Sequence, residues 1–292
     1  MNKFLEKLAT QKVLVADGAT GTNLQKMGLK PGTPPEELVF DQPQLILDLE
    51  KAFVRAGSDI LLTCTFGGTR FRLKESRYAN QVKEINRRAV ELAREAAASR
   101  PDVLVAGSIG PTGLLMKPYG PLSREDVFDA YREQISGLVE GGVDFLVIET
   151  HFALEEADAA FDAARTLTDV PIVVSFSYDR GVRTMMGVKP AAVIRHYKEK
   201  GAALVGANCG TTLENMEKIA SEYAQTEPGF PLWIKPNAGL PRMEGDATVF
   251  DVTPAQMADF SQRYIALGAR VVGGCCGSTP EHIAAIAQQV KA

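Results

Sequence analysis

The chain has 292 residues, of which 45% are hydrophobic and 23% are charged, and its formal net charge is −4. This is an ordinary globular composition, and the absence of a basic run argues against nucleic acid or an anionic membrane as a partner. Because the sequence contains no signal-peptide pattern and no uncharged run of transmembrane length, we expect a cytosolic protein.

Short apolar runs rich in β-branched residues recur along the chain. Each run is followed by glycine or a polar turn and then by a helical pattern. Near-continuous apolar strands of this kind are typical of a parallel sheet covered by helices. The eight predicted strands are 13–16, 60–63, 103–106, 145–148, 172–175, 203–206, 232–235 and 270–273.

Helical patterns fill the intervals between these strands. An amphipathic segment opens the chain at 1–8, and Thr-Pro-Ala-Gln at 253–256 predicts a helix start with a capping box. The Thr-Pro-Glu sequence at 279–281 opens the last helix in the same way. Segment 28–43, rich in proline and glutamate, predicts a loop over the barrel mouth. Long helices are predicted at 80–98, 123–140 and 154–167.

Eight β/α units without a linker predict an α/β protein with a (β/α)8 TIM barrel, formed as a single domain by residues 1–292. The main alternative is an open doubly wound sheet, which favours a Gly-x-Gly-x-x-Gly turn after the first strand. The first turn here, Asp-Gly-Ala-Thr-Gly-Thr at 17–22, does not have that spacing. In a barrel, chemistry takes place at the carboxyl ends of the strands.

Three cysteines stand at predicted strand ends. Cys209 follows the sixth strand in Gly-Ala-Asn-Cys-Gly, and Cys275 and Cys276 follow the eighth in Gly-Gly-Cys-Cys-Gly. Three thiolates brought together by a barrel predict a zinc site with one open position, as in catalytic zinc centres. The alternatives are buried small apolar residues, or a redox disulfide, which is strained between adjacent cysteines.

A thiol that occupies the open position of such a site is bound as a thiolate, because zinc lowers its pKa. Three electron-rich sulfur ligands make zinc a poor activator of water, which argues against a hydrolase. The sequence therefore favours chemistry on a sulfur nucleophile.

Carboxylates and glycine-rich turns at other strand ends suggest the rest of the pocket. Asp17 and Glu149 are candidates to bind an ammonium group, and the amides of segment 18–22 are candidates to hold a carboxylate. Together they outline a pocket for an amino acid that carries a thiol. The candidate substrate-binding residues are Asp17, Gly18, Ala19, Thr20, Ser108, Glu149 and Asn237.

The remaining cysteine and histidines are assigned no chemistry. Cys64, at the end of the second strand, is interpreted as packing or lining the mouth, and His151 as hydrogen-bonded structure. His196 and His282 lie on predicted helices.

Several motifs resemble the homocysteine S-methyltransferase family and run in order through almost the whole chain. They are Asp-Gly-Ala-Thr-Gly-Thr at 17–22, Thr-Phe-Gly-Gly-Thr-Arg at 65–70, Gly-Ser-Ile-Gly-Pro-Thr at 107–112, Asn-Cys at 208–209 and Gly-Gly-Cys-Cys-Gly at 273–277. The resemblance implies a TIM barrel with Zn²⁺ on Cys209, Cys275 and Cys276. It also implies homocysteine bound through sulfur, with Asp17 and Glu149 near its amino group.

Two further motifs are most similar to the homocysteine-binding module of cobalamin-dependent methionine synthase. They are Pro-Asn-Ala-Gly-Leu-Pro at 236–241 and Cys-Gly-Ser-Thr-Pro-Glu-His at 276–282. This branch implies methylcobalamin on a separate corrinoid protein as methyl donor, and Asn237 as a zinc ligand when substrate is absent. Cys64 and His151 depart from the pattern of the branch.

Three alternatives remain open at this point, one of which is methyl transfer to a thiol other than homocysteine. The same chemistry could use S-methylmethionine or S-adenosylmethionine as donor. The chain could also be a non-catalytic subunit that binds a thiol or zinc within a larger complex.

Overall fold

A barrel of parallel strands forms the centre of the computed structural model, which describes residues 2–30, 32–245 and 247–291. Within these residues the barrel has eight strands: β1 (Leu14–Val15), β2 (Ile60–Leu62), β3 (Leu104–Ile109), β4 (Phe145–His151), β5 (Ile172–Phe176), β6 (Leu204–Asn208), β7 (Leu232–Lys235) and β10 (Ala269–Val272). Adjacent strands pair in parallel in the order β1-β10-β7-β6-β5-β4-β3-β2. A bridge between Ala16 and Ile60 joins β1 to β2 and closes the ring.

Helices connect successive strands and cover the outside of the barrel, which confirms the predicted (β/α)8 fold. The capping box predicted at Thr253 and Gln256 is present. The helices are α1 (Lys3–Thr10), α2 (Gly21–Lys26), α3 (Leu38–Asp41), α4 (Pro43–Arg55), α5 (Val82–Ala97), α6 (Arg124–Gly141), α7 (Leu154–Arg165), α8 (Pro190–Glu199), α9 (Leu213–Thr226), α10 (Pro254–Ala266) and α11 (Pro280–Lys291).

Alternation along the strands divides the core into two layers. Residues such as Leu104, Val147 and Trp233 point into the barrel, and their neighbours, such as Val105 and Leu146, pack against the helices. Along β3 to β7 the inward positions are apolar near the amino end and polar near the carboxyl end, where they are Ser108, Glu149, Ser175, Asn208 and Lys235. This gradient places polar side chains at the mouth.

Helix α1 covers the amino end of the barrel. Phe4 is fully buried, and its ring stacks on that of Phe145, the first residue of β4, with centroids 3.8 Å apart. Asn2 caps the helix and donates to the Asp144 carbonyl (2.9 Å). The amphipathic segment predicted at the start of the chain therefore acts as a plug opposite the mouth.

Two segments differ from the prediction. The segment predicted as a loop at 28–43 contains a 3-10 turn (Pro35–Glu37) and helix α3, both of which bury residues. A short antiparallel hairpin of β8 (Arg242–Glu244) and β9 (Ala247–Val249) follows β7. The hairpin was not predicted because β8, Arg-Met-Glu, is exposed and too short to show a strand pattern.

No helix within the described part of the chain combines the length and apolar character needed to span a membrane.

Candidate metal and substrate site

A cavity of about 530 Å³ opens at the carboxyl ends of the barrel strands. The loops after β1, β2, β6 and β10 contribute to its wall, as do residues near the carboxyl ends of β3, β4 and β7. Asp17 and Asn237 do not line it and are only 2% and 4% exposed. The candidate residues in the wall are Gly18, Ala19, Thr20, Cys64, Ser108, Glu149, Cys209, Cys275 and Cys276.

The sulfur atoms of three cysteines converge on this cavity. They all lie within 4.8 Å of one another, and the Sγ atoms of Cys209 and Cys276 are 3.7 Å apart. Two sulfur atoms on one tetrahedral zinc, each at ~2.3 Å from the metal, are ~3.8 Å apart. The cluster of Cys209, Cys275 and Cys276 therefore fits zinc, with one coordination position left for a further ligand.

Cys209 is held in a turn that residues with a β-carbon rarely adopt, with φ at 60°. The neighbouring Asn208 fixes this turn, because its Oδ1 accepts hydrogen bonds from the Thr150 N–H (3.0 Å) and the Ser175 hydroxyl (2.6 Å). Its Nδ2 donates to Thr150 Oγ1 (2.7 Å) and lies 3.7 Å from Cys275 Sγ. Asn208 thus connects the ends of β4, β5 and β6 to the sulfur cluster.

The adjacent cysteines are held by the segment that follows β7. The Cys275 N–H donates to the Pro236 carbonyl (2.7 Å), and the Ala238 N–H donates to the Cys276 carbonyl (2.9 Å). Asn237 lies between these two bonds, and its buried Oδ1 has no hydrogen-bond partner among the described residues. A buried amide oxygen without a partner, on a residue whose two neighbours bond to the cysteine pair, is a ligand atom that a metal ion could satisfy.

Glycine is required where the chain turns away from the cysteine pair. Gly277 has φ at 79°, and a β-carbon there would lie 2.2 Å from the Phe250 side chain. Successive residues of a regular strand face opposite sides, so both cysteines can face one point only because the strand has ended.

Asp17 forms a buried ion pair that the sequence did not predict. Its Oδ1 is 2.8 Å from Lys235 Nζ, and its Oδ2 accepts a hydrogen bond from the Leu62 N–H (2.7 Å). Burial raises the pKa of Asp17, and the Lys235 ammonium acts against that rise. Burial alone would lower the pKa of Lys235, but Asp17 and Glu149 hold it above its ordinary value, so the lysine is charged.

Glu149 faces the cavity beside Ser108. One carboxylate oxygen accepts a hydrogen bond from the Ser108 hydroxyl at 2.5 Å. Burial raises the pKa of Glu149, while the Lys235 charge and the Ser108 hydrogen bond lower it. Among the described residues, Glu149 forms no salt bridge.

The turn after β1 forms another part of the wall. The Ala19 N–H donates to Ser278, to its hydroxyl at 3.1 Å and its carbonyl at 3.3 Å. In the described part of the chain, the N–H groups of Gly18 and Thr20 have no acceptor. Two such amides beside a cavity are suited to an anionic group.

Cys64 and His151 lie in different surroundings. Cys64 is 3% exposed, packs in the core and lines the cavity, and burial raises its pKa well above the usual range. His151 is fully buried, and neither ring nitrogen has a hydrogen-bond partner among the described residues. Burial lowers the pKa of His151, while the Glu156 carboxylate and the Ile109 backbone act against that shift.

The other two histidines lie on helices, as predicted. His196 on α8 bonds to Asp158 at 2.8 Å, and His282 on α11 contacts the Val252 carbonyl at 2.9 Å.

The sequence reasoning missed Lys235 as a pocket residue. Strand alternation could have identified it, because Trp233 points into the barrel and Lys235 is two residues further along the same strand. The same rule places Ser108 two residues after Ala106 and Glu149 two residues after Val147.

Known proteins share sequence and fold with this chain. A model of the homocysteine S-methyltransferase family matches residues 14–290. A methionine synthase from Mycobacterium leprae is 30% identical over 305 aligned residues, which cover 98% of this chain and 25% of that protein. The chain thus spans about a quarter of the length of this relative.

Among solved structures, the chain is similar to the homocysteine methyltransferase MmuM from Escherichia coli. The oxidised and metallated forms match with a TM-score of 0.83 and 26% identity, over 98–99% of this chain and 99–100% of that one. The apo form matches with a TM-score of 0.76.

Proposed function

The chain belongs to the homocysteine S-methyltransferase family, and we propose that it methylates the sulfur of homocysteine, giving methionine, in a zinc-dependent reaction. The resemblance drawn from its motifs is thereby confirmed at the level of the family. The observation that carries the proposal is the convergence of three cysteine sulfur atoms on a cavity whose wall also holds Glu149.

Cys209, Cys275 and Cys276 would hold the metal. When bound, zinc supplies a Lewis acid that keeps the substrate sulfur as a thiolate at neutral pH. The unpartnered Oδ1 of Asn237 supports its predicted role as a ligand when no substrate is present.

The cavity residues would orient the amino acid part of homocysteine. The carboxylate of Glu149 accepts from an ammonium group, and the free N–H groups of Gly18 and Thr20 donate to a carboxylate. Holding both groups fixes the position of the sulfur relative to the incoming methyl group. Alignment of the reacting atoms accelerates a displacement. The substrate sulfur then forms a bond to the methyl carbon while the donor leaves with the electron pair of its former bond.

We propose methylcobalamin on a separate corrinoid protein as the donor. The similarity to methionine synthase supports it, together with the open cavity at the carboxyl end of the barrel. A small donor, S-methylmethionine or S-adenosylmethionine, is the second candidate, and the similarity to MmuM over nearly its whole length favours it. The proposed location is the cytosol.

The test is a methyl-transfer assay with zinc-loaded protein, homocysteine and each donor in turn. Consumption of free methylcobalamin that requires homocysteine and produces methionine supports the first donor. Turnover with a sulfonium donor alone would replace it by the second candidate. Failure with every donor, including methylcobalamin carried on a corrinoid protein, in protein that binds zinc and homocysteine, would make the chain a non-catalytic binding subunit.

A further inference from the structure

The side chain of Asn208 joins the sulfur cluster to the strands around it and is fully buried. Its Oδ1 accepts from the Thr150 N–H (3.0 Å) and the Ser175 hydroxyl (2.6 Å). Its Nδ2 donates to Thr150 Oγ1 (2.7 Å) and to Cys275 Sγ (3.7 Å). A side-chain amide has two acceptor sites and two N–H donors. All four are used, and one of the donors faces a sulfur of the proposed metal site.

The partners of this amide fix its orientation. Turning it over would place the Nδ2 group against the Thr150 N–H, which can only donate. Thr150 and Cys209 both have positive φ, so the backbone that carries these contacts is itself held in a rare conformation. The group that faces the Cys275 sulfur is therefore an N–H and not the amide oxygen.

Cys275 differs in this respect from the other two cysteines of the cluster. Its sulfur accepts from a side chain outside the cluster. Among the described residues, the sulfur atoms of Cys209 and Cys276 have no such side-chain donor, and they contact each other at 3.7 Å. A hydrogen bond to a charged sulfur is stronger than one between neutral groups, and it draws negative charge away from the sulfur.

Withdrawal of charge is useful at a zinc ion held by three thiolates. The three thiolates carry one negative charge more than Zn²⁺ neutralises, and a substrate thiolate would add another. Excess charge is costly in a buried site. An N–H group at one sulfur offsets part of that excess, and groups that bond to metal ligands in this way tune the affinity of the site.

We propose that Asn208 is a positioning residue of the metal centre, which orients the Cys275 sulfur and withdraws charge from it through an N–H···S hydrogen bond. The inference rests on the proposed function, because it concerns the same zinc site. It makes the three sulfur ligands inequivalent, although all three come from cysteine.

The test is the isosteric variant Asn208→Asp. The new carboxylate can accept from the Thr150 N–H and the Ser175 hydroxyl as before, and from the Thr150 hydroxyl, which turns to donate. These three donors keep the carboxylate ionised, so the bond to the Cys275 sulfur has no replacement.

We expect zinc affinity, measured by competition with a chelator, to fall roughly 10- to 100-fold in this variant. In cobalt-substituted protein, the sulfur-to-metal charge-transfer band should move to lower energy, because a sulfur without the N–H donor holds its electrons less tightly.

The matched control is Ser175→Ala, which removes another hydrogen bond of the same amide and leaves the N–H toward Cys275 in place. We expect a lower urea unfolding midpoint in the metal-free control, zinc affinity within about threefold of native and an unshifted cobalt band. A purely structural role of Asn208 would give the two variants the same pattern.

A second measurement uses the native chain and does not depend on the folding of a variant. In protein loaded with ¹¹³Cd, a hydrogen bond to a metal-bound sulfur transmits scalar coupling from the metal to the donated proton. We expect this coupling at the side-chain amide of Asn208. We expect none at the side-chain amide of Asn86, which is also buried but donates to the carbonyls of Gly68 and Val82.

Native zinc affinity and an unshifted cobalt band in Asn208→Asp, equal changes in Ser175→Ala, or no cadmium coupling at Asn208 would each overturn the inference. Zinc binding by the three cysteines and the proposed function would then stand. Absence of zinc binding by the native chain would instead overturn the proposed function, and the inference with it.

Discussion

The two ends of the barrel differ in how their polar groups are partnered. At the amino end, Asp59 is surrounded by partners: Lys291 at 2.7 Å, Arg100 at 3.4 Å and Lys7 at 3.9 Å, and it also accepts from the Val15 N–H at 2.9 Å. At the carboxyl end, Asp17 is paired with Lys235, but Asn237 Oδ1 is buried without a partner among the described residues. Paired groups stabilise a fold, whereas unpaired ones are costly unless they serve a ligand.

Backbone conformation also differs between the two ends of the barrel. Thr150 and Cys209, the described residues other than glycine with positive φ, both lie at the carboxyl end, where Asn208 joins them. Such conformations cost free energy and persist where surrounding contacts enforce them. The amino end therefore stabilises the barrel. The carboxyl end carries strained backbone and unpaired polar groups, whose cost in free energy that stability offsets.

The largest expected effect is the loss of the metal at the carboxyl end. Cys209→Ala removes one of three sulfur ligands, so we expect zinc content to fall from about one per chain toward zero and turnover to fall at least ~100-fold. The matched control is Cys64→Ala, which removes a cysteine of the same cavity wall outside the cluster. Equal zinc loss in both variants would contradict the assignment of the cluster.

Next in size is the loss of the plug at the amino end. Phe4→Ala removes a fully buried ring stacked on Phe145, and we expect it to cost about 3–5 kcal/mol of unfolding free energy. Zinc content and homocysteine affinity, measured at a temperature where the variant is folded, should not change. A parallel loss of zinc affinity would show that the two ends are coupled.

A smaller effect is expected for the charge cluster at the amino end. Asp59→Asn leaves three cations without their common carboxylate, but Arg100 and Lys291 are about one-third exposed and solvent screens them. We therefore expect a loss of about 1–3 kcal/mol, measured by urea unfolding. The loss should shrink in high salt, and a salt-independent effect would indicate that packing dominates.

The smallest effect concerns His151 and the pH dependence of stability. Burial lowers the folded-state pKa of His151, so below the usual histidine pKa of about 6.5 the unfolded chain takes up a proton that the folded chain excludes. The contribution of neutral His151 to the free energy of unfolding is present above that pH. It is lost as the pH falls, by at most about 1.4 kcal/mol per pH unit. His151→Phe should reduce the slope of the free energy of unfolding against pH between about pH 6.5 and 5. An unchanged slope would show that His151 does not take up a proton on unfolding.

Much of the fold could be predicted because each strand carries its own signal. All eight barrel strands were recognised from apolar runs, and helix starts such as Thr253 were recognised from capping residues. The hairpin of β8 and β9 and helix α3 were missed because they are short and depend on tertiary contacts more than on local pattern.

The part of the site whose residues lie within short sequence motifs could be predicted. The cysteines at 209, 275 and 276 could be identified from glycine-flanked strand ends, and the structure brings their sulfur atoms together. The partner of Asp17 could not be identified, since Lys235 lies 218 residues away and only strand alternation and barrel closure place the two together. The complete burial of His151 likewise follows from packing against neighbours distant in the sequence.

The central claim is that three cysteine sulfur atoms hold a zinc ion whose remaining position accepts the thiol of homocysteine. X-ray absorption at the zinc edge tests it directly, on zinc-loaded protein with and without homocysteine. We predict three sulfur neighbours at ~2.3 Å and one lighter atom without substrate, changing to four sulfur neighbours when homocysteine is added. An unchanged spectrum on addition of homocysteine, or fewer than three sulfur neighbours in the free protein, would contradict the claim.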